Sequence, residues 1–335
     1  MQDIEHPGPG QEAANMLQRR AHKRDPGPVP PELQKVLPIT WFHVPKAGTS
    51  FVNTIAHLPG VCPTLPEDRW LDAKHFPNYG GLYWPIQFTE EFGHGDCPGL
   101  ADTAMGHDSL LMKNYTEQKG RFMTMMRSPE QRMISAYKDL LWAVADEPLE
   151  NVLADWRSWG GLPNTTIPTL EEWMDYGSGC VTRMLTRDKQ PCGGKGGLPT
   201  KMEVKLAKER LQNDFSFIGI TDDWPLSMCV FSAMFNVPCF TSMFVDDRQV
   251  RIDNTVPYDE SELNGKKDIY DDVLFAEVVR MFHGNMKKHN VTEESCWDAC
   301  WRPAGLEGVL NRTKTTERTT PEELLDTLQY VHYDV

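Results

Sequence analysis

No apolar run in this chain approaches the roughly 20 residues that cross a bilayer, and the N-terminus lacks the apolar core of a signal peptide. We therefore expect a chain without a membrane span, either cytosolic or cut free from an anchor. Basic residues are outnumbered. The 34 Lys and Arg stand against 48 Asp and Glu, a formal net charge of −14. Nucleic acid wants a basic face, so it is a poor fit as the main partner, although a local basic cleft can sit within an acidic total. Internal repeats are absent. The Gly-Lys-Ser/Thr ending of a Walker A loop is also absent, which argues against a kinase or NTPase. Residues 1–35 carry no sustained periodicity; PGPG, RRAHKR and PGPVPPE read as a tail or stem.

What remains is a globular composition. In 335 residues, 40% are hydrophobic and 10% aromatic, enough for a sizeable core in one domain over residues 36–335. Eight cysteines are present: Cys62, Cys97, Cys180, Cys192, Cys229, Cys239, Cys296 and Cys300. The even count suits disulfides. Glycosylation sequons begin at Asn114, Asn164, Asn290 and Asn311, where chance supplies about two. Together these point to an oxidising secretory lumen, with the cytoplasm as the alternative.

The pattern alternates strands and helices. Residues 38–44 read as a buried strand and 50–58 as the helix after it. Residues 59–118 are irregular and rich in Pro, Gly, Trp and Tyr, as functional loops are. Residues 121–127 read as a second strand. Ser128, Pro129 and Gln131 supply N-cap, N1 and N3 of a capping box, and Met133, Tyr137, Leu140, Leu141 and Val144 form the apolar stripe of its helix. Thr200 and Glu203 cap a helix to about Gln212. Strands at 215–221 and 239–245 flank a helix at 225–235. A long helix at 268–289 should bury Ile269, Val273, Ala276 and Phe282, and Thr320, Pro321 and Glu323 cap a last one. The expected fold is α/β, a single P-loop-like domain with a central, mainly parallel sheet flanked by helices.

Two segments carry chemistry. Residues 41–51 read WFHVPKAGTSF. A strand that breaks at a glycine and restarts as a helix aims backbone N–H groups at one spot, which suits phosphate. Lys46 adds a mobile charge, and Thr49 and Ser50 add hydroxyls. Residues 126–137 read MRSPEQRMISAY. Arg127 ends a strand and Ser135 lies two turns into the next helix. In open α/β sheets, ligands sit at the carboxyl ends of strands, so one ligand with two phosphate groups could touch both Lys46 and Arg127.

The pair resembles the cofactor site of sulfotransferases that use 3′-phosphoadenosine 5′-phosphosulfate (PAPS). PKAGTSF is similar to their 5′-phosphosulfate loop, and Arg127 with Ser135 is similar to their 3′-phosphate element. Gly106-His107, residues 180–185 and residues 215–221 extend the likeness, which is closest overall to the Golgi carbohydrate O-sulfotransferases. The lysine-to-glycine spacing is the shorter one of the cytosolic enzymes, whose Arg-Lys-Gly motif is missing here. The resemblance implies the sulfotransferase fold and transfer of the sulfuryl group of PAPS, with PAP as product, to an acceptor hydroxyl on a carbohydrate. It also implies roles. Lys46 stabilises the leaving phosphate, Ala47, Gly48, Thr49 and Ser50 hold the phosphosulfate, and Arg127 and Ser135 grip the 3′-phosphate. His107 is the base, and no metal is needed. Acceptors that are small alcohols or phenols, and a non-catalytic PAP- or glycan-binding protein, are the alternatives. The acceptor's identity and the oligomeric state are not legible.

Other residues have blander readings. His43 contributes packing or a hydrogen bond. Arg132 and Arg183 assist phosphate or form ion pairs. His283, His289, Cys296 and Cys300 could be drawn as a zinc site, but a Cys296–Cys300 disulfide or free thiols are preferred. Cys180 and Cys192 flank a glycine-rich loop and could pair. Asp246, Asp247, Asp253, Asp259 and Glu260 read as a solvated loop. The aromatic segment 70–92 is either packing or an acceptor platform.

Overall fold

The computed structural model describes residues 28–71, 95–102, 106–146, 166–188, 192, 196–245 and 258–308. The helix expected around Thr320, most of the aromatic segment, Asp246, Asp247 and Asp253, and the sequons at Asn164 and Asn311 lie outside them.

Among the described residues three parallel strands form the sheet, in the order β1 (Thr40–Trp41), β2 (Phe122–Met126), β3 (Phe215–Ile220). β2 is buried at every position, as a central parallel strand should be. It pairs Thr40 with Phe122 on one side and Met126 with Ile220 on the other. A parallel bridge joins Ile39 to Leu100, so residues 99–101 run beside the start of β1. The fold is α/β, as expected, and the described residues hold a smaller sheet than the sequence suggested. The strand read at 38–44 keeps ladder pairing only at Thr40 and Trp41, because the chain must turn by Lys46. The strand read at 239–245 is a 3-10 turn, Thr241–Phe244. Cys239 is bonded to Cys300, and the indole Nε1 of Trp224 donates to the Met243 carbonyl.

Helix α1 (Phe51–Ala56) follows the lysine loop and is buried at all six positions. α2 (Pro129–Asp146) follows Arg127, and α3 (Leu170–Gly177) packs on it. Then come α4 (Cys180–Thr186), α5 (Lys201–Asp214), α6 (Trp224–Phe235) and α7 (Ile269–Lys288). α6 and α7 both contact β3. The Thr200/Glu203 capping box is present. Gln131 does otherwise: its amide donates to the Tyr258 carbonyl and accepts from the Tyr258 N–H. Two good bonds to a distant backbone outcompete one local cap.

The main core is aromatic beneath the sheet. Phe217 meets Phe231 edge-on at 4.9 Å, and Phe51 stacks on Phe217 at 5.7 Å. Each fully buried phenyl contributes about 1.5–3 kcal/mol. A smaller cluster joins Met133, Ile134 and Leu140 of α2 to Trp173, Met174 and Leu263, while Leu141 is exposed at 39%. Packing also begins before the expected boundary at residue 36, since Leu33 is fully buried. On α7, Phe282 is buried as expected. Ile269 is exposed, Val273 and Ala276 are half-buried, and Leu274, Phe275 and Val278 take the core face.

Four disulfides staple this core: Cys62–Cys97, Cys180–Cys192, Cys229–Cys296 and Cys239–Cys300. The Cys180–Cys192 pairing agrees with the sequence reading. The preferred Cys296–Cys300 bond does not form, because each cysteine faces a partner at the far end of a long loop. Closures of 67 and 61 residues each remove about 4 kcal/mol of unfolded-state entropy. They also take both thiols from the imagined zinc set.

Candidate functional site

Parallel strands put their carboxyl ends on one edge. There the lysine loop after β1, Arg127 after β2 and Thr221–Asp223 after β3 lie side by side. Gly48 makes that closeness possible. Its φ is +78°, and a Cβ would lie 2.7 Å from Trp224, 3.0 Å from Thr221 and 3.2 Å from Met125. Only glycine suits both the left-handed backbone and the contact. Lys46 is also left-handed, at φ +61°, which a side-chain-bearing residue rarely adopts. The loop closes with the Ala47 N–H on the Val44 carbonyl, and the Phe51, Val52 and Asn53 N–H groups on carbonyls 48–50. Ser50 occupies the N-cap position without making a side-chain cap.

The Lys46 ammonium is 3.2 Å from the Asp139 carboxylate, with side chains only 10% and 23% exposed. Asp139 lies four residues after Ser135 on α2, so both occupy one helix face, and Ser135 is buried. The loop and the helix are thus tied by charge. Asp139 was not singled out from sequence; its i+4 relation to Ser135 was the available signal.

A second chain of contacts runs from the loop to His107. Thr49 Oγ1 is 3.2 Å from His43 Nε2. The His43 ring stacks on Trp41 at 3.9 Å and lies 4.0 Å from the His107 ring. His43 thus makes both the packing and the hydrogen bond expected of it. His107 Nδ1 is 3.1 Å from the His43 carbonyl. A carbonyl only accepts, so Nδ1 carries a proton, and in the neutral ring Nε2 holds the lone pair. Upstream, residues 99–101 run parallel to the start of β1. Lys113, buried, then pairs with Asp102 at 3.3 Å and Asp108 at 3.5 Å, clamping the chain on both sides of His107.

Arg127 is the other pole. Its guanidinium lies 5.2 Å from the centre of the Tyr258 ring, a cation–π distance. Burial pushes its pKa down, opposed by Tyr258 and by the charge of Asp222. Lys138 approaches the same ring at 4.8 Å. Tyr258 is 127 residues from Gln131, its backbone partner, and nothing local marks it in the sequence.

Arg132, one turn into α2, takes the ion-pair reading rather than phosphate contact. It is buried and lies 3.3 Å from Asp271 and 3.7 Å from Asp268. Those carboxylates cap α4. Asp268 accepts from the Gly179 N–H and Ser178, and Asp271 from the Val181 and Thr182 N–H groups. Burial and the neighbouring Asp271 push Asp268 up to about 7, while Arg132 and the N–H donors oppose that rise. Arg183 is fully buried and donates to the Gly197 carbonyl.

The structure thus connects Thr49, His43 and His107 through direct contacts, and connects Lys46 to the Ser135 helix through Asp139. Arg127 is joined to Tyr258 instead. Among the described residues no group of three His, Cys, Asp or Glu is placed to hold a metal, and no helix is long and apolar enough to cross a membrane. No family model, no curated protein and no solved structure matches this chain.

Proposed function

We propose that this chain is a PAPS-dependent sulfotransferase that sulfates a hydroxyl, on a carbohydrate by preference. The observation that carries the reading is a convergence. The glycine loop with Lys46 and the strand-end Arg127 leave adjacent parallel strands at one edge, and His107 lies against His43 just before that loop. The fit to PAPS is chemical. Two cationic side chains, a buried serine hydroxyl and a tight glycine turn suit a nucleotide with phosphate groups at both ends. When bound, PAPS supplies the sulfuryl group for in-line displacement.

The chain's own residues do the rest. Lys46 is a compact point charge suited to a leaving phosphate oxygen. Ala47, Gly48, Thr49 and Ser50 form the turn that would enclose the 5′ end, and Arg127 with Ser135 would take the 3′-phosphate. His107, with Nδ1–H held on the His43 carbonyl, would take the acceptor proton on Nε2. His43 holds both that tautomer and the Thr49 hydroxyl. The four disulfides fit an oxidising compartment, and we place the protein in the Golgi lumen or the secretory pathway. Asn114 and Asn290, the two described sequons, are exposed, so glycans there would be accommodated.

Transfer of label from PAPS to sugars, phenols and small alcohols tests the reading. His107→Ala should abolish transfer and leave PAPS binding intact. Near-normal turnover in that variant rejects His107 as the base. Binding without transfer in the wild type favours a non-catalytic nucleotide-binding protein.

A further inference from the structure

We infer that Asp139 is a placeholder anion: it holds Lys46 in the ligand-free protein and gives it up when an anionic group enters the loop. The ligand's identity rests on the sulfotransferase reading; the pairing does not.

Three observations carry this. First, the ion pair is not a surface one. Lys46 Nζ and Asp139 Oδ1 are 3.2 Å apart with both side chains largely covered, where screening is weak and the charges matter to each other. Second, Asp139 comes from the helix that also carries Ser135, one turn further on and on the same face. The carboxylate therefore stands on the side of α2 that meets the loop. Third, Lys46 holds a left-handed backbone at φ +61°, and such a conformation persists only where its surroundings determine it. The ion pair holds the far end of that side chain without any ligand.

A comparison within the site makes the point specific. Arg127 rests on a neutral ring, and an incoming phosphate can add to that contact. Lys46 rests on a carboxylate, and an incoming phosphate must compete with it. The same competition returns Lys46 to Asp139 when the anion leaves, so Asp139 weakens the holding of product as well as substrate. Asp139 is a positioning residue in this scheme, acting through Lys46.

The test uses the full chain with adenosine 3′,5′-bisphosphate as the titrant. Asp139→Asn keeps the shape and removes the charge; Asp139→Ala serves as a second variant. Both should bind the bisphosphate about tenfold more tightly than wild type, with the largest gain at low salt. Without ligand, acetylation of Lys46 by acetic anhydride, read by mass spectrometry, should be several-fold faster in both. Unchanged or weaker affinity in folded variants overturns the inference, because a merely structural Asp139 would give that result. If no form binds the bisphosphate, the sulfotransferase reading fails and takes this inference with it. Faster acetylation of Lys46 in the variants then distinguishes that failure from a pairing that never existed.

Discussion

Lys46 and Arg127 leave neighbouring strands at the same edge of one sheet, yet they are built differently. The Lys46 pole is local. Trp41, His43, Gly48 and Thr49 lie within ten residues, while Asp139, His107 and the Trp224 that packs on Gly48 come from elsewhere. The Arg127 pole is assembled at long range. Tyr258 covers the guanidinium, Gln131 grips the Tyr258 backbone, and Arg132 anchors the helix to Asp268 and Asp271. The contrast separates a turn built largely from near neighbours in sequence from a seat that needs residues 258–271 in place. It also separates a competing partner, Asp139, from a permissive one, Tyr258.

The largest effect should come from the long-range pole. Arg132→Met leaves two buried carboxylates without their cation and should cost about 3–5 kcal/mol in urea unfolding. A loss below 1 kcal/mol would break the contrast, since α2 would then hold without its anchor. Next is Lys46→Met. Transfer should fall about 100- to 1,000-fold, and the melting temperature should fall less than in Arg132→Met, because Asp139 loses a largely covered partner but keeps some contact with solvent. Gly48→Ala should follow. A Cβ 2.7 Å from Trp224 at φ +78° costs about 1–3 kcal/mol by crowding and backbone strain.

A pH titration sharpens the same comparison. Asp272, beside the long-range anchor, is pushed up to about 8 by burial, with Glu130, Asp268 and Asp271 adding to the shift. Its folded pKa lies above its unfolded value, so its contribution favours the folded state at low pH. That contribution is lost as pH rises from about 4 towards 8. The wild-type melting temperature should carry this downward component, and Asp272→Asn should flatten it by no more than one proton. An unchanged slope would remove Asp272 from the anchor's electrostatics. The smallest effect belongs to Tyr258. Tyr258→Phe should keep nucleotide affinity within about twofold, and Tyr258→Ala should weaken it by the roughly 0.5–1 kcal/mol of a cation–π contact.

The sheet's two longer strands were legible because each is a short apolar run bounded by turn signals. The expected 121–127 and 215–221 became Phe122–Met126 and Phe215–Ile220. The Thr200 cap was legible because its partner Glu203 is three residues away. Failures share a cause. Gln131 has the right spacing for a cap, but Tyr258 offers two bonds from far away. Residues 239–245 are apolar enough for a strand, but the Cys300 disulfide and the Trp224 bond turn them into a 3-10 segment. The α7 face was misjudged at Ile269 and Val273 because Asp271, usually a solvent residue, is drawn inward to cap α4.

The sequence by itself determined what depends on near neighbours: the glycine turn after β1, the strand-end Arg127, Ser135 two turns on, and an even set of cysteines. Only the tertiary structure decided the partners. It paired Lys46 with Asp139, seated Arg127 on Tyr258, brought His107 to the His43 carbonyl, and joined Cys229 to Cys296 and Cys239 to Cys300. Periodicity and capping report contacts three or four residues apart. Contacts between residues 60 to 130 apart depend on which surfaces bury together, and a single chain's pattern does not encode that choice locally.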